Sequence, residues 1–227
     1  LIFNHTPKAI FKDLPVKYAD GGRFYQSPKG EWYPSVTTVL SADSDKEEGI
    51  KQWRERIGEE EANKILVQAS NRGESVHLIC ERYLNNDPDY AKGQMPTNIF
   101  SFKCIQNILD SHINNIHCQE EPLYSNYLKT AGRVDCLAEF DGKLSVIDFK
   151  TSRKMKRKEW ISNYFMQTSA YAVMYEELTT IPVSQIVVII SVDGSEPQVF
   201  VEKRDDHIHN FIEIRKRYEE LKNCTES

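Results

Sequence analysis

The chain has 227 residues, 40% of them hydrophobic and 28% charged, enough to bury one substantial core or two small ones, which excludes a disordered chain. With a formal net charge of −5 it carries no overall attraction for a polyanion, so any basic surface must be local. Apolar runs such as Ile186 to Ile190 are far too short to span a membrane, and the opening stretch around Lys8, Lys12 and Asp13 lacks the apolar segment of a secretory signal.

In chain order, Arg23 to Gln26 and Glu31 to Tyr33 flank the turn-forming Ser27-Pro-Lys-Gly30 and predict a hairpin. Pro34-Ser35 starts a short helix over Val36 to Leu40, with Ser35 as its N-cap. Helices are expected over Glu47 to Ile57 and Glu59 to Leu84, the second broken near Asn71-Arg72-Gly73 and ended by Asp87-Pro88. Another amphipathic helix covers Asn98 to Ile116. Strands follow: Glu121 to Tyr127, then a hairpin centred on Asp141-Gly142. After a helix over Glu159 to Leu178 come strands at Gln185 to Val192 and Gln198 to Glu202, separated by the Asp193-Gly194 turn. A terminal helix covers Asp206 to Leu221. Helices, then β-β-β-α-β, then a helix predict an α/β fold with a mixed sheet covered on both faces.

The chemistry concentrates in Gly132-Arg-Val-Asp-Cys-Leu-Ala-Glu-Phe-Asp-Gly-Lys-Leu-Ser-Val-Ile-Asp-Phe-Lys-Thr151. Asp141-Gly142 is a strong signal for a two-residue turn, since both positions need positive φ. Counting outward, Phe140 opposes Lys143, Leu137 opposes Val146 and Asp135 opposes Asp148. Opposed Cβ atoms lie about 4.5–5.5 Å apart. Two carboxylates at that distance repel unless a cation stands between them. Period-2 alternation puts Lys150 on the face of Asp148. Two carboxylates and a lysine at one end of an otherwise apolar hairpin can hold a divalent metal beside a phosphodiester; the alternative is a solvated strand end with an Asp–Lys pair. Six of the nine residues from Lys150 to Lys158 are basic, either a solvated loop or a phosphate-binding rim.

Five motifs in order resemble the PD-(D/E)xK nuclease superfamily, and within it the RecB-like exonucleases. Gly73-Glu-Ser-Val-His77 resembles the helical Gly-x-x-x-His, and Glu121 the upstream acidic residue. Gly132-Arg-Val-Asp135 resembles the second-strand aspartate, Asp148-Phe-Lys150 the Asp-x-Lys, and Gln167-Thr-Ser-Ala-Tyr171 the Gln-x-x-x-Tyr of the next helix. Pro34 to Leu40, Gly142 to Ser152 with Lys154, and Gln167 to Tyr171 are also similar to segments of the mitochondrial genome maintenance exonuclease type, which has phage relatives. The resemblance runs from Pro34 to the C-terminal helix.

It implies one nuclease domain over residues 1–227: an N-terminal hairpin and helical cap over 1–118 above the active site, and a catalytic core over 119–227. It implies a DNA exonuclease acting on free ends of single strands in replication, repair or recombination. One or two Mg²⁺ or Mn²⁺ ions would be held by Asp135, Asp148 and the carbonyl of Phe149, with His77 and Glu121 completing the sites. Lys150 would position water or stabilise charge at the phosphate. Gln167 and Tyr171, four apart on one helix face, either orient Lys150 and the DNA backbone or pack the helix on the sheet. His77 has the alternative of a structural histidine. Ser35, Thr37, Thr151, Ser152, Arg153, Lys154 and Lys156 are the expected DNA contacts, with plain capping the alternative for Ser35 and Thr37. Trp32, Tyr33 and Trp53 are candidates for base stacking or for core.

Competing functions are a structure-specific endonuclease or junction resolvase of the same superfamily, and a non-catalytic module binding single strands. Cys80, Cys104, Cys118, Cys136 and Cys224 are scattered, odd in number and without a Cys-x-x-Cys, so no disulfide framework and no iron–sulfur cluster is expected. The expected setting is a reducing compartment: a bacterial or phage-infected cytoplasm, or the mitochondrial matrix if a leader preceded Leu1. The expected partner is single-stranded DNA, with no membrane and no obligate protein partner.

Overall fold

A computed structural model describes residues 2–6, 11–42 and 44–225. The N-terminal part forms a three-stranded antiparallel sheet, β1 (Val16–Ala19), β2 (Gly22–Gln26) and β3 (Trp32–Pro34). The expected hairpin is β2–β3. The strand β1, absent from the sequence expectations, is joined to β2 by Asp20-Gly21, with φ of 49° and 71°. That is the Asp-Gly turn signal used elsewhere in the chain.

Four helices follow: α1 (Val36–Leu40), α2 (Ser44–Ile57), α3 (Glu59–Leu84) and α4 (Pro96–His112). The expected break in α3 is absent: Asn71-Arg72-Gly73 lies inside one continuous helix of 26 residues. A single internal glycine costs only about 1 kcal/mol, which the packing of the C-terminal half outweighs. Glu59, Glu60 and Glu61 sit in the first turn, where the helix dipole favours anions. Helix α4 ends four residues earlier than expected, because Ile113 already begins a strand.

The main sheet has the order β4 (Ile113–Ser125), β5 (Thr130–Phe140), β6 (Lys143–Ser152), β7 (Gln185–Val192), β8 (Gln198–Lys203). Strands β6 and β7 are parallel, and every other neighbouring pair is antiparallel. The crossover between β6 and β7 carries a 3-10 turn (Lys158–Ile161) and α5 (Ser162–Thr179); α6 (Ile208–Thr225) closes the fold. The expected division at residue 118 falls inside β4.

Alternation along the strands divides the core. Ile147, Phe149, Val187 and Ile189 face α3 and α4, with Ile79, Phe102 and Ile105. Val146, Ile186, Val188 and Ile190 face the other side, with Val36 and Val39 of α1, Phe165 and Tyr171 of α5 and Phe211 of α6. Burial on both faces explains why β7 reads as an unbroken apolar run. Helix α3 meets this core only from Val76 onward; before that, Ala62 is its single buried residue. Its N-terminal half and α2 therefore project beyond the sheet. Among the described residues no helix is long and apolar enough to cross a membrane.

Candidate active site

The hairpin forms as its spacing requires. Asp141 and Gly142 have φ of 53° and 75°, and Phe140 pairs with Lys143 and Leu137 with Val146. The β5–β6 ladder stops at Cys136–Ile147. Beyond it the strands part: β5 continues along β4 to Thr130, and β6 continues along β7 to Ser152. Asp135 and Asp148 are the first residues past the fork. Phe149 N, lacking a backbone partner on β5, donates to Asp135 Oδ2 at 3.0 Å. The carboxylate thus takes over a ladder hydrogen bond and is fixed by it.

Asp148 is 2% exposed. Its Oδ2 lies 2.5 Å from Lys150 Nζ, and its Oδ1 has no hydrogen-bond partner. An unpartnered buried carboxylate oxygen costs several kcal/mol unless a cation meets it. Burial, reinforced by Asp135, pushes the Asp148 carboxyl up to about 6 against the pull of Lys150. For Lys150, burial alone would disfavour the charge, but Asp148 and Asp135 outweigh it and hold the ammonium above its ordinary range. The Lys150 ammonium also lies 5.2 Å from the ring centre of Tyr164, a neighbour that no sequence motif marked.

His77 reaches the fork from α3, next to Val76, where that helix first enters the core. Its Nε2 lies 2.5 Å from the Phe149 carbonyl oxygen, and its Nδ1 lies 3.4 Å from Asp135 Oδ2. A carbonyl oxygen only accepts, so Nε2 carries the proton and donates. A neutral imidazole then turns its Nδ1 lone pair towards a carboxylate, acceptor against acceptor. Only a proton or a metal ion between them makes that arrangement favourable.

The acidic residue beside this pair is Glu120, not Glu121. One ligand atom each from His77, Glu120 and Asp135 all lie within 4.8 Å of one another. Glu121 pairs with Val134 in the regular ladder. Gln119 pairs with Cys136 and Glu121 with Val134, so Glu120 falls opposite Asp135 in the same register, at a left-handed backbone with φ of 50°. Arg133 holds the irregularity: its Nη1 donates to the Glu120 carbonyl and its Nη2 to Asp13 Oδ1 at 3.0 Å. Burial, with Asp135 adding repulsion, raises the Glu120 carboxyl to about 7, against the pull of His77. His77, Glu120 and Asp135 form a hard, mostly anionic donor group of a kind that fits a divalent metal ion, with the Phe149 carbonyl on His77 and Phe149 N on Asp135.

Tyr171 is 3% exposed and packs in the α5 core; burial holds its phenol protonated, far above the ordinary range, with Asp135 adding to the effect. Gln167 lies one turn earlier, on a stripe that runs from Tyr164 to Tyr171.

The expected DNA contacts divide. Ser35 is fully buried, and its Oγ accepts from Thr38 N at 3.1 Å and pairs with the Thr37 and Thr38 hydroxyls. It is a cap rather than a surface contact, because the start of α1 is pressed against β5. Thr37 is exposed, at the mouth of an open cavity of about 770 Å³ shared with Asp20, Arg23 and Thr38. Thr151 is half-buried. Ser152 is buried, and its Oγ donates to the Lys154 carbonyl at 2.6 Å, so its hydroxyl shapes the turn after β6 instead of facing solvent. Arg153 and Lys154 are exposed, and Lys156 is half-buried. Of the aromatics, Tyr33 is buried and its hydroxyl donates to Glu31 Oε2 at 2.7 Å, with Asn126 Oδ1 a second acceptor at 3.1 Å, which removes it as a stacking surface. Trp32 lies under the Lys17 ammonium at 4.4 Å, and Trp53 is half-buried on α2.

The family model of the PD-(D/E)XK nuclease superfamily matches residues 52–225, well over half of the chain. Mitochondrial genome maintenance exonuclease 1 of Mus musculus is 31% identical over 129 residues, 54% of this chain and 38% of that protein. The Xenopus tropicalis protein of the same name is 27% identical over 223 residues, 92% of this chain and 62% of that protein. The chain thus spans less than two thirds of the length of these curated relatives. Among solved structures, a protein described as a candidate exonuclease from Eubacterium rectale superposes with a TM-score of 0.43 at 14% identity, covering 68% of this chain and 67% of that one. On the match of the family model and the ordered site at the β5–β6 fork, the chain belongs to the PD-(D/E)XK nuclease superfamily.

Proposed function

We propose that this nuclease is an exonuclease dependent on Mg²⁺ or Mn²⁺ that removes nucleotides from free ends of single-stranded DNA, in replication, repair or recombination. The observation that carries the reading is the sparse burial of the N-terminal half of α3, which carries α2 past the sheet from the point where His77 meets Asp135 and the Phe149 carbonyl. A helical pair standing over a metal-type site admits a flexible single strand by its end and excludes a duplex. The helix α2 and the N-terminal half of α3 then act as the cap, and the elements packed on the main sheet as the core. The curated relatives are named exonucleases, which supports the same reading.

The chain's residues divide the work. His77, Glu120, Asp135, Asp148 and the Phe149 carbonyl would hold the metal. A divalent ion held there would supply, when bound, a more acidic water and positive charge beside the phosphate. Lys150, kept protonated by Asp148 and Asp135, donates to the phosphate oxygen or to the attacking water. Tyr164 limits where its ammonium can go. Arg153 and Lys154 take the flanking phosphates. The buried free thiols of Cys80 and Cys136 fit a reducing compartment such as a bacterial or phage-infected cytoplasm or the mitochondrial matrix.

The test is an end-labelled time course on linear and covalently closed single strands, with Mn²⁺ or with EDTA. Linear strands shorten only with metal, and circles survive. Cutting of circles would replace this reading with an endonuclease or resolvase. Binding without cutting under any divalent metal would leave a non-catalytic module.

A further inference from the structure

We propose that Trp160 is a stacking platform for an unpaired nucleobase next to the phosphate that Lys150 addresses. The inference rests on the nuclease reading above and adds a base contact to it. Trp160 lies in the 3-10 turn after the basic run and is 63% exposed, and Met155 beside it is 51% exposed. A large aromatic side chain left in water forgoes a substantial burial energy, so its exposure calls for a ligand.

The exposure does not come from a loose loop. The Gln198 side chain accepts from Lys156 N at 2.7 Å and donates to Lys156 O at 2.9 Å, clasping the loop to β8. Lys158 Nζ lies 2.5 Å from Glu202 Oε1, also on β8. Ile161, directly after the tryptophan, is 1% exposed and anchors the turn in the core. The indole is therefore held outward between two fixed points, which lowers the ordering cost of binding.

Its neighbours specify the ligand. The Arg157 guanidinium stands 5.1 Å from the Trp160 ring centre, and Arg153 and Lys154 are exposed along the same loop. An apolar protein surface would have to desolvate these cations. A single-stranded nucleic acid presents flat rings to the indole and phosphates to the cations. Position completes the argument. Trp160 lies in the 3-10 turn that leads straight into α5, and Tyr164 in the first turn of α5 has its ring 5.2 Å from Lys150 Nζ. A base stacked on Trp160 is therefore held on the crossover segment that also carries the tyrosine beside Lys150.

Binding of the full chain to labelled oligothymidylate, and to an abasic strand of equal length and charge, is compared by fluorescence anisotropy in EDTA. Trp160→Ala is expected to weaken oligothymidylate binding roughly 5- to 100-fold, leaving the abasic strand unaffected, as expected for one lost stacking contact. Trp160→Phe recovers most of the loss. Equal loss on both strands, or no loss on either, overturns the platform and leaves the nuclease reading standing. A wild type that neither binds nor cuts any strand overturns both.

Discussion

The phenol of Tyr171 occupies the space that a β-carbon at residue 132 would need: a methyl group built on Gly132 would stand 2.7 Å from Tyr171 Oη and 2.8 Å from its Cε1. Gly132 lies on β5 three residues before Asp135, so the tyrosine packs directly beneath the strand that carries a metal-site carboxylate. Gly132→Ala is expected to destabilise the fold by about 1–3 kcal/mol through overpacking. At about 2–4 °C per kcal/mol for a chain of this size, thermal denaturation reads the loss directly. Adding Tyr171→Phe removes the hydroxyl contact and restores part of it. A wild-type melting temperature in Gly132→Ala would refute the packing account.

Glu120→Gln should weaken Mn²⁺ binding by at least about tenfold in calorimetric titration, the scale on which even supporting groups of a metal site act. Glu121→Gln should change it little. The reverse ranking would show that the ladder residue, not the left-handed one, faces the ion. Arg133→Gln is expected to give an intermediate loss, because it frees the Glu120 carbonyl without removing a ligand.

The raised carboxyls set a pH dependence. Glu120 titrates at about 7 and Asp148 at about 6 in the fold, against ordinary values of 4.5 and 3.8. Between roughly pH 4 and 7 the folded chain holds protons that the unfolded chain has released. Linkage then makes these two groups lower stability as pH rises through that window, with the full penalty above 7. A divalent ion displaces those protons and cancels the penalty. The rise in melting temperature on adding Mn²⁺ should therefore be larger near pH 8 than near pH 5.5. An equal rise at both would mean that neither carboxyl meets the ion.

Lys150→Ala should abolish strand cleavage while leaving the Mn²⁺ titration essentially intact, since the ammonium contacts Asp148 without being a ligand. Disappearance of the metal signal would assign the lysine to holding the site together rather than to catalysis.

Replacing Arg153, Lys154, Lys156 and Arg157 with glutamine should weaken single-strand binding and flatten its dependence on salt. Each lost phosphate contact lowers the slope of log K against log salt by about 0.7 for single strands. An unchanged slope would mean that the run faces away from the strand.

The sequence by itself determined most of the architecture. Asp141-Gly142 needed positive φ at both positions and took it, which set the register that brings Asp135 and Asp148 to one end. The apolar run of β7 and the N-cap at Ser35 were equally legible, because each depends on neighbours only a few residues away. Tertiary structure decided the rest. Nothing local marks Glu120 over Glu121: the choice depends on the β4–β5 register, which sets Glu120 opposite Asp135 and Glu121 opposite Val134, with Arg133 gripping the Glu120 carbonyl. Whether Ser35, Ser152 and Tyr33 are surface or interior depended on which elements closed over them, and the placement of Trp160 depended on Gln198 reaching back from β8. Short-range chemistry fixes turns, caps and strand faces. Which side chains share a site is set by contacts between distant segments, and those exist only once the sheet has formed.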